Sequence, residues 1–130
     1  MPFEPLSETD EKIAGVVVDA AFLVHKSLGP GLLESVDEIC LAYELRRRGL
    51  KVWRQEPIPI VYCNLSFEEG FRFDLLVEER ILCEIKAVHE MHPVYLAQVL
   101  TYLKLMNLRL GFLINFNVPL IKEGIQRVIR

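Results

Sequence analysis

Ile13, Val16, Val17, Ala20, Val24 and Leu28 recur at helical spacing behind Ser7-Glu8-Thr9-Asp10, a segment that opens like a helix cap. Gly29-Pro30-Gly31 ends that helix. A second helix is predicted from about Leu32 to Arg48, with Gly49 as its stop and Arg46-Arg47-Arg48 set against the C-terminal dipole. The period then shortens. Lys51 to Gln55 and Ile58 to Tyr62 read as short strands around Pro57 and Pro59, which suit a sheet edge. Phe71 to Val77 and Ile81 to Ile85 are apolar runs parted by a charged turn, Glu78-Glu79-Arg80, and together predict a hairpin of largely buried strands. After Pro93 a helix carries Leu96, Val99, Leu100, Leu103 and Leu105. Leu110 to Asn115 follows as a strand, and the alternating Ile125 to Ile129 as a short final one. The order predicts a mixed sheet flanked by helices, in the α/β or α+β class.

Charges interrupt the apolar hairpin. Nine residues separate Asp74 from Glu84, and Lys86 follows two positions later. Strand side chains alternate, so Glu84 and Lys86 share a face. Asp74 joins them only if the turn contains three residues; a two-residue turn without a bulge would send it to the other side. A buried carboxylate costs several kcal/mol unless it is paired or coordinates a cation. Two acids beside a lysine suit a hard divalent ion such as Mg²⁺, which keeps several waters and is held by one or two carboxylates plus substrate phosphate. A structural ion pair of Lys86 with Asp74 or Glu84 is the competing reading.

The chain has 130 residues, 52% of them hydrophobic, enough for one domain spanning 1–130 with a sizeable core. It contains no repeat, low-complexity segment or linker. No apolar stretch approaches the roughly 18 residues of a membrane span, and Met1-Pro2-Phe3-Glu4 does not open like a secretory leader. A soluble, cytoplasmic protein is expected. Cys40, Cys63 and Cys83 are odd in number and widely separated within apolar segments, which predicts reduced core thiols rather than disulfides or a zinc site. A net charge of −3 argues against a broad basic surface for duplex nucleic acid.

Other polar groups have two readings each. Gln98 and Tyr102, four apart on the third helix, could orient a water or a phosphate, or form a half-exposed helix rim. Glu34 opens the second helix, where an acid also favours the dipole. The arginine run serves the helix end or contacts phosphate. Ser27, Ser35 and Ser66 lack a triad setting, and His89-Glu90-Met91-His92 falls on an expected loop, so nucleophilic hydrolysis finds little support.

Val24-His25-Lys26-Ser27-Leu28-Gly29-Pro30 and Gly31-Leu32-Leu33-Glu34 resemble the hallmark of the GxxExxY family, placed in the PD-(D/E)XK nuclease superfamily. The resemblance continues through Ala42-Tyr43-Glu44-Leu45, Phe71 to Val77, Glu84-Ile85-Lys86-Ala87, Gln98 to Lys104 and Leu113 to Asn117. It covers nearly the whole chain from about Ile13. The tyrosine that closes the family motif is Asp37 here.

That resemblance implies a restriction-endonuclease-like αβββαβ core. Asp74 and Glu84 would be metal ligands, with the Ile85 carbonyl a third. Lys86 would orient the attacking water, and Glu34 would complete the site from its helix. Gln98 and Tyr102 match a Gln-x-x-x-Tyr signature that helps to position the site. Arg72 and His25 are weaker candidates for phosphate contact; His25 also lies beside an apolar stripe. The implied activity is Mg²⁺- or Mn²⁺-dependent hydrolysis of DNA, less readily RNA, through direct attack by water. The expected partners are nucleic acid and a second copy or a larger assembly. A binding module on the same fold is the alternative, since fold alone does not fix activity.

Overall fold

The computed structural model describes residues 4–130; Met1-Pro2-Phe3, part of the N-terminal segment read for a leader, lies outside them. The first helix, α1 (Glu8–Leu28), begins where expected, with the Ser7 hydroxyl accepting the Asp10 N–H at 3.0 Å. Gly29 and Gly31, at φ 75° and 94°, turn the chain into α2 (Glu34–Arg47). At the end of α2, Arg46 Nη2 donates to the Val52 carbonyl at 2.8 Å and Arg48 pairs with Glu44 at 2.7 Å. These two arginines are engaged in finishing the helix.

The strands are β1 (Val52–Arg54), β2 (Ile60–Tyr62), β3 (Leu65–Phe67), β4 (Leu75–Val77), β5 (Ile81–Lys86), β6 (Leu110–Asn115) and β7 (Ile125–Ile129), with α3 (Pro93–Met106) between β5 and β6. A five-stranded sheet runs β1-β4-β5-β6-β7, while β2 and β3 form a separate hairpin. Only the β5–β6 pair is parallel, and α3 supplies the long crossover that a parallel pair requires. The result is an α+β mixed sheet with helices on both faces, consistent with the expected restriction-endonuclease-like core.

Alternation divides the core. Ile81, Cys83 and Ile85 of β5 pack with α1 and α2, whereas Leu82 packs with Val99, Tyr102 and Leu103 of α3. Glu84 and Lys86 share the parity of Leu82. Gly111 on β6 permits close approach of α3: an added Cβ would lie 3.1 Å from Val99 and 3.3 Å from Leu103. Among the described residues, no helix is long and apolar enough to cross a membrane.

Several expectations need correction. The strand predicted over Phe71 to Val77 is regular only from Leu75, because Gln55 at φ 51° interrupts the partner strand. Pairing resumes in the same register beyond it, where Pro57 faces Arg72. Strand β3 was not predicted: its turn from β2 lacks glycine and instead places Cys63 at φ 55°. Cys63 is therefore exposed and Cys40 only half-buried, leaving Cys83 as the one core thiol of the three. The strand predicted over Ile58 to Tyr62 lies outside the main sheet, although β1 does take an edge.

Candidate active site

The hairpin brings the acids together. Val77 pairs with Ile81, so the loop is Glu78-Glu79-Arg80, and Glu78 and Glu79 both adopt left-handed backbone at φ 53° and 56°. Leu75 faces Cys83 at the end of the ladder, and this register continued by one step would set Asp74 against Glu84. The two residues interlock. The Asp74 N–H donates to Glu84 Oε2 at 2.7 Å, and the Ile85 N–H donates to Asp74 Oδ2 at 2.8 Å. This places both carboxylates at the carboxyl end of β5, with the Ile85 carbonyl between Glu84 and Lys86 in sequence.

Lys86, the last residue of β5, is half-buried with its ammonium 4.4 Å from the centre of the Tyr95 ring, a cation–π arrangement. Glu34, at the start of α2, lies within electrostatic range of Lys86 and Asp74 and close to the Ala87 backbone. Tyr102 is buried and senses the charges of Glu84 and Asp74. Gln98 lies one turn earlier on α3 and shares a groove with Tyr102. Arg72 is exposed two residues before Asp74, and its Nη1 donates to the Gln55 carbonyl at 2.8 Å. His25 is not brought to the acids by a direct contact: it is buried, with Nε2 2.7 Å from the Val118 carbonyl and its ring against Phe116. On the loop after β5, His92 caps α3 by accepting the Val94 N–H.

The sequence reading missed a second layer. Glu38, one turn beyond Glu34 on α2, is buried and accepts two bonds from Arg54, at 3.1 and 2.8 Å. Gln55 Nε2 donates both to Glu38 Oε1 at 2.7 Å and to Asp74 Oδ1 at 3.0 Å. Its backbone N–H also holds the Asp74 carbonyl at 3.1 Å. Gln55 thus ties α2 to Asp74. The i,i+4 spacing of Glu34 and Glu38 was the available signal. Asp37 is buried with Oδ1 unpartnered among the described residues.

Burial first, and then the charge of Asp74, push the Glu84 carboxyl up to about 8, against the opposing pull of the Asp74 N–H and Lys86. Partial desolvation raises Glu34, itself solvent-exposed, and burial raises Glu38, tempered first by Lys86 and by the Arg54 hydrogen bond respectively. Burial, with Glu84 and Asp74, raises the Tyr102 hydroxyl to about 12. The site holds more negative charge than its neighbours neutralise.

A divalent cation fits that imbalance. The clustered donors, Asp74 and Glu84, are carboxylates, as a hard ion requires. Among the described residues no group of three or more His, Cys, Asp or Glu side chains is placed to hold a metal ion. Carboxylate donors without a thiolate or imidazole beside them suit a hard ion better than a structural zinc.

The PD-(D/E)XK nuclease superfamily model matches residues 11–128. No curated protein and no solved structure matches the chain.

Proposed function

Because the chain belongs to the PD-(D/E)XK nuclease superfamily, we propose that it is a divalent-metal-dependent nuclease of the GxxExxY kind, cutting DNA phosphodiesters by direct attack of water. The observation that carries this reading is the convergence of Asp74, Glu84 and Lys86 on one face at the end of β5, with Glu84 left short of positive charge. Asp74, Glu84 and the Ile85 carbonyl would hold Mg²⁺ or Mn²⁺. When bound, the ion would supply a more acidic water and charge neutralisation at the phosphate.

The chain's own residues do the rest. Lys86, kept in place by the face of Tyr95, presents a point cation to the phosphate oxygens and the incoming water. Glu34 reaches the same region from α2 and accepts a proton or a water hydrogen bond. Tyr102 keeps its proton at neutral pH and therefore donates. Gln98 aligns the substrate from the same helix. Arg72 offers a further cation for a flanking phosphate. On this reading residues 1–130 act as one cytoplasmic nuclease unit, working as a homodimer or within a larger assembly.

Purified protein incubated with single-stranded DNA, duplex DNA and RNA in Mg²⁺ or Mn²⁺ should cleave DNA. Lys86→Ala should lose about a hundredfold or more in rate, and Asp74→Ala should lose activity together with Mn²⁺ affinity. Full activity in either variant would sink the proposal. Metal binding without cleavage of any substrate would favour a binding module on this fold.

A further inference from the structure

Tyr102 has two environments. Toward β5 it packs with Leu82 and lies within electrostatic range of Glu84 and Asp74. On its other side it lines a groove of about 550 Å³, together with Ile58, Ile60, Phe71, Gln98 and Thr101. The volume lies within the range of small-ligand pockets, about 300–1,000 Å³. Among the described residues no charged side chain lines the groove. A lining without cations suits phosphate poorly, and the protein's net charge of −3 offers a duplex no broad basic track.

What the groove offers is a stacking surface. Phe71 is 61% exposed, its ring centre 6.0 Å from that of Tyr102 with the planes inclined at 42°. A large aromatic ring left in water beside a candidate active site, against an otherwise apolar wall, suits a flat partner with an apolar face. Gln98 and Thr101 lie along the same wall, and an amide and a hydroxyl can each donate and accept. A flat face with polar edges is the chemistry of a nucleobase. Phe71 stands three residues before Asp74 on an extended segment, about 10 Å along the chain, within reach of a base attached beside a phosphate held at the acids.

We infer that this groove receives an unpaired nucleobase of the strand being cut, stacked on Phe71 with its edge toward Gln98 and Thr101. The inference rests on the nuclease reading above and narrows its substrate to single-stranded or locally opened nucleic acid. A paired base has its faces covered by its neighbours and cannot enter. Because every base has a stacking face, and the amide and hydroxyl serve either hydrogen-bonding sense, the groove tolerates all four bases.

The test compares three substrates in Mn²⁺: a single-stranded oligonucleotide, the same strand with an abasic position beside the cleaved bond, and a fully paired duplex. Binding of the same three is measured by anisotropy in Ca²⁺. The parent should prefer the intact single strand over the abasic strand and the duplex by about tenfold or more in kcat/KM and in affinity. Phe71→Ala should abolish the preference for intact over abasic strand, and Phe71→Trp should restore it. Phe71 is exposed, so both variants should fold, as their circular dichroism and melting will verify. A parent that cuts abasic or duplex DNA as fast as the intact strand would overturn the groove inference and leave the nuclease reading standing. No cleavage of anything would instead remove the nuclease reading; the binding comparison then decides the groove, and equal affinity for intact and abasic strands overturns it.

Discussion

At the scale of single residues, the decisive group is Glu84. Its carboxyl titrates at about 8 in the folded protein against 4.5 for the ordinary group, so the metal-free fold favours the protonated form. The sign follows by linkage: this stabilisation is complete below about 4.5 and is lost as pH rises through about 8. The melting temperature of metal-free protein should therefore fall across that interval more steeply in the parent than in Glu84→Gln, measured in parallel. Mn²⁺ affinity should rise over the same interval, since the ligand must be deprotonated to bind. Parallel melting curves for the two proteins would contradict the assigned burial. Gln55 provides a second residue-scale test. Gln55→Ala leaves the buried Glu38 with Arg54 alone and frees Asp74 Oδ1, while Oδ2 stays on the Ile85 N–H, which should cost about 1–3 kcal/mol in urea unfolding and weaken Mn²⁺ binding. Both acids of the hairpin could be read from the sequence because a two-residue period and a turn length fix their face. Glu38 and Gln55 could not: a glutamate on a polar-looking helix reads as solvated, and nothing local marks Gln55 for left-handed backbone.

At the scale of elements, the site depends on counting. The Glu78-Glu79-Arg80 loop sets the pairing that brings Asp74 to Glu84, and removing one turn residue would rotate β4 relative to β5. Leu75 and Val77 would leave the α1 and α2 side, and Asp74 would leave the α3 side. Deleting Glu79 should therefore abolish cleavage and Mn²⁺ binding and lower stability by several kcal/mol. Unchanged Mn²⁺ affinity in a folded deletion variant would show that the loop does not set the register of the acids. The helices and long strands were legible because their periods persist and their ends carry caps, as at Ser7 and Gly49. The β2–β3 hairpin was not, since its strands are three residues each, largely exposed, and joined without the glycine that usually signals such a turn.

At the scale of the whole molecule, charge limits how a polyanion can be held. Fifteen lysines and arginines are set against 18 acids, and Arg46, Arg48 and Arg54 are engaged within the fold. On the nuclease reading, Lys86 and Arg72 are the cations assigned to the cleaved strand, Arg72 while also donating to the Gln55 carbonyl. Neutralising two phosphates of a single strand gives a slope of about −1.4 in log affinity against log salt concentration. With Ca²⁺ held constant, single-strand binding measured by anisotropy should therefore show a slope shallower than about −2, with stacking at Phe71 supplying affinity that salt does not screen. A much steeper slope would require more cations on the strand than one protomer places near its acids. In that case the strand would contact a second copy or another subunit, and the slope should flatten on dilution of the protein as that assembly dissociates.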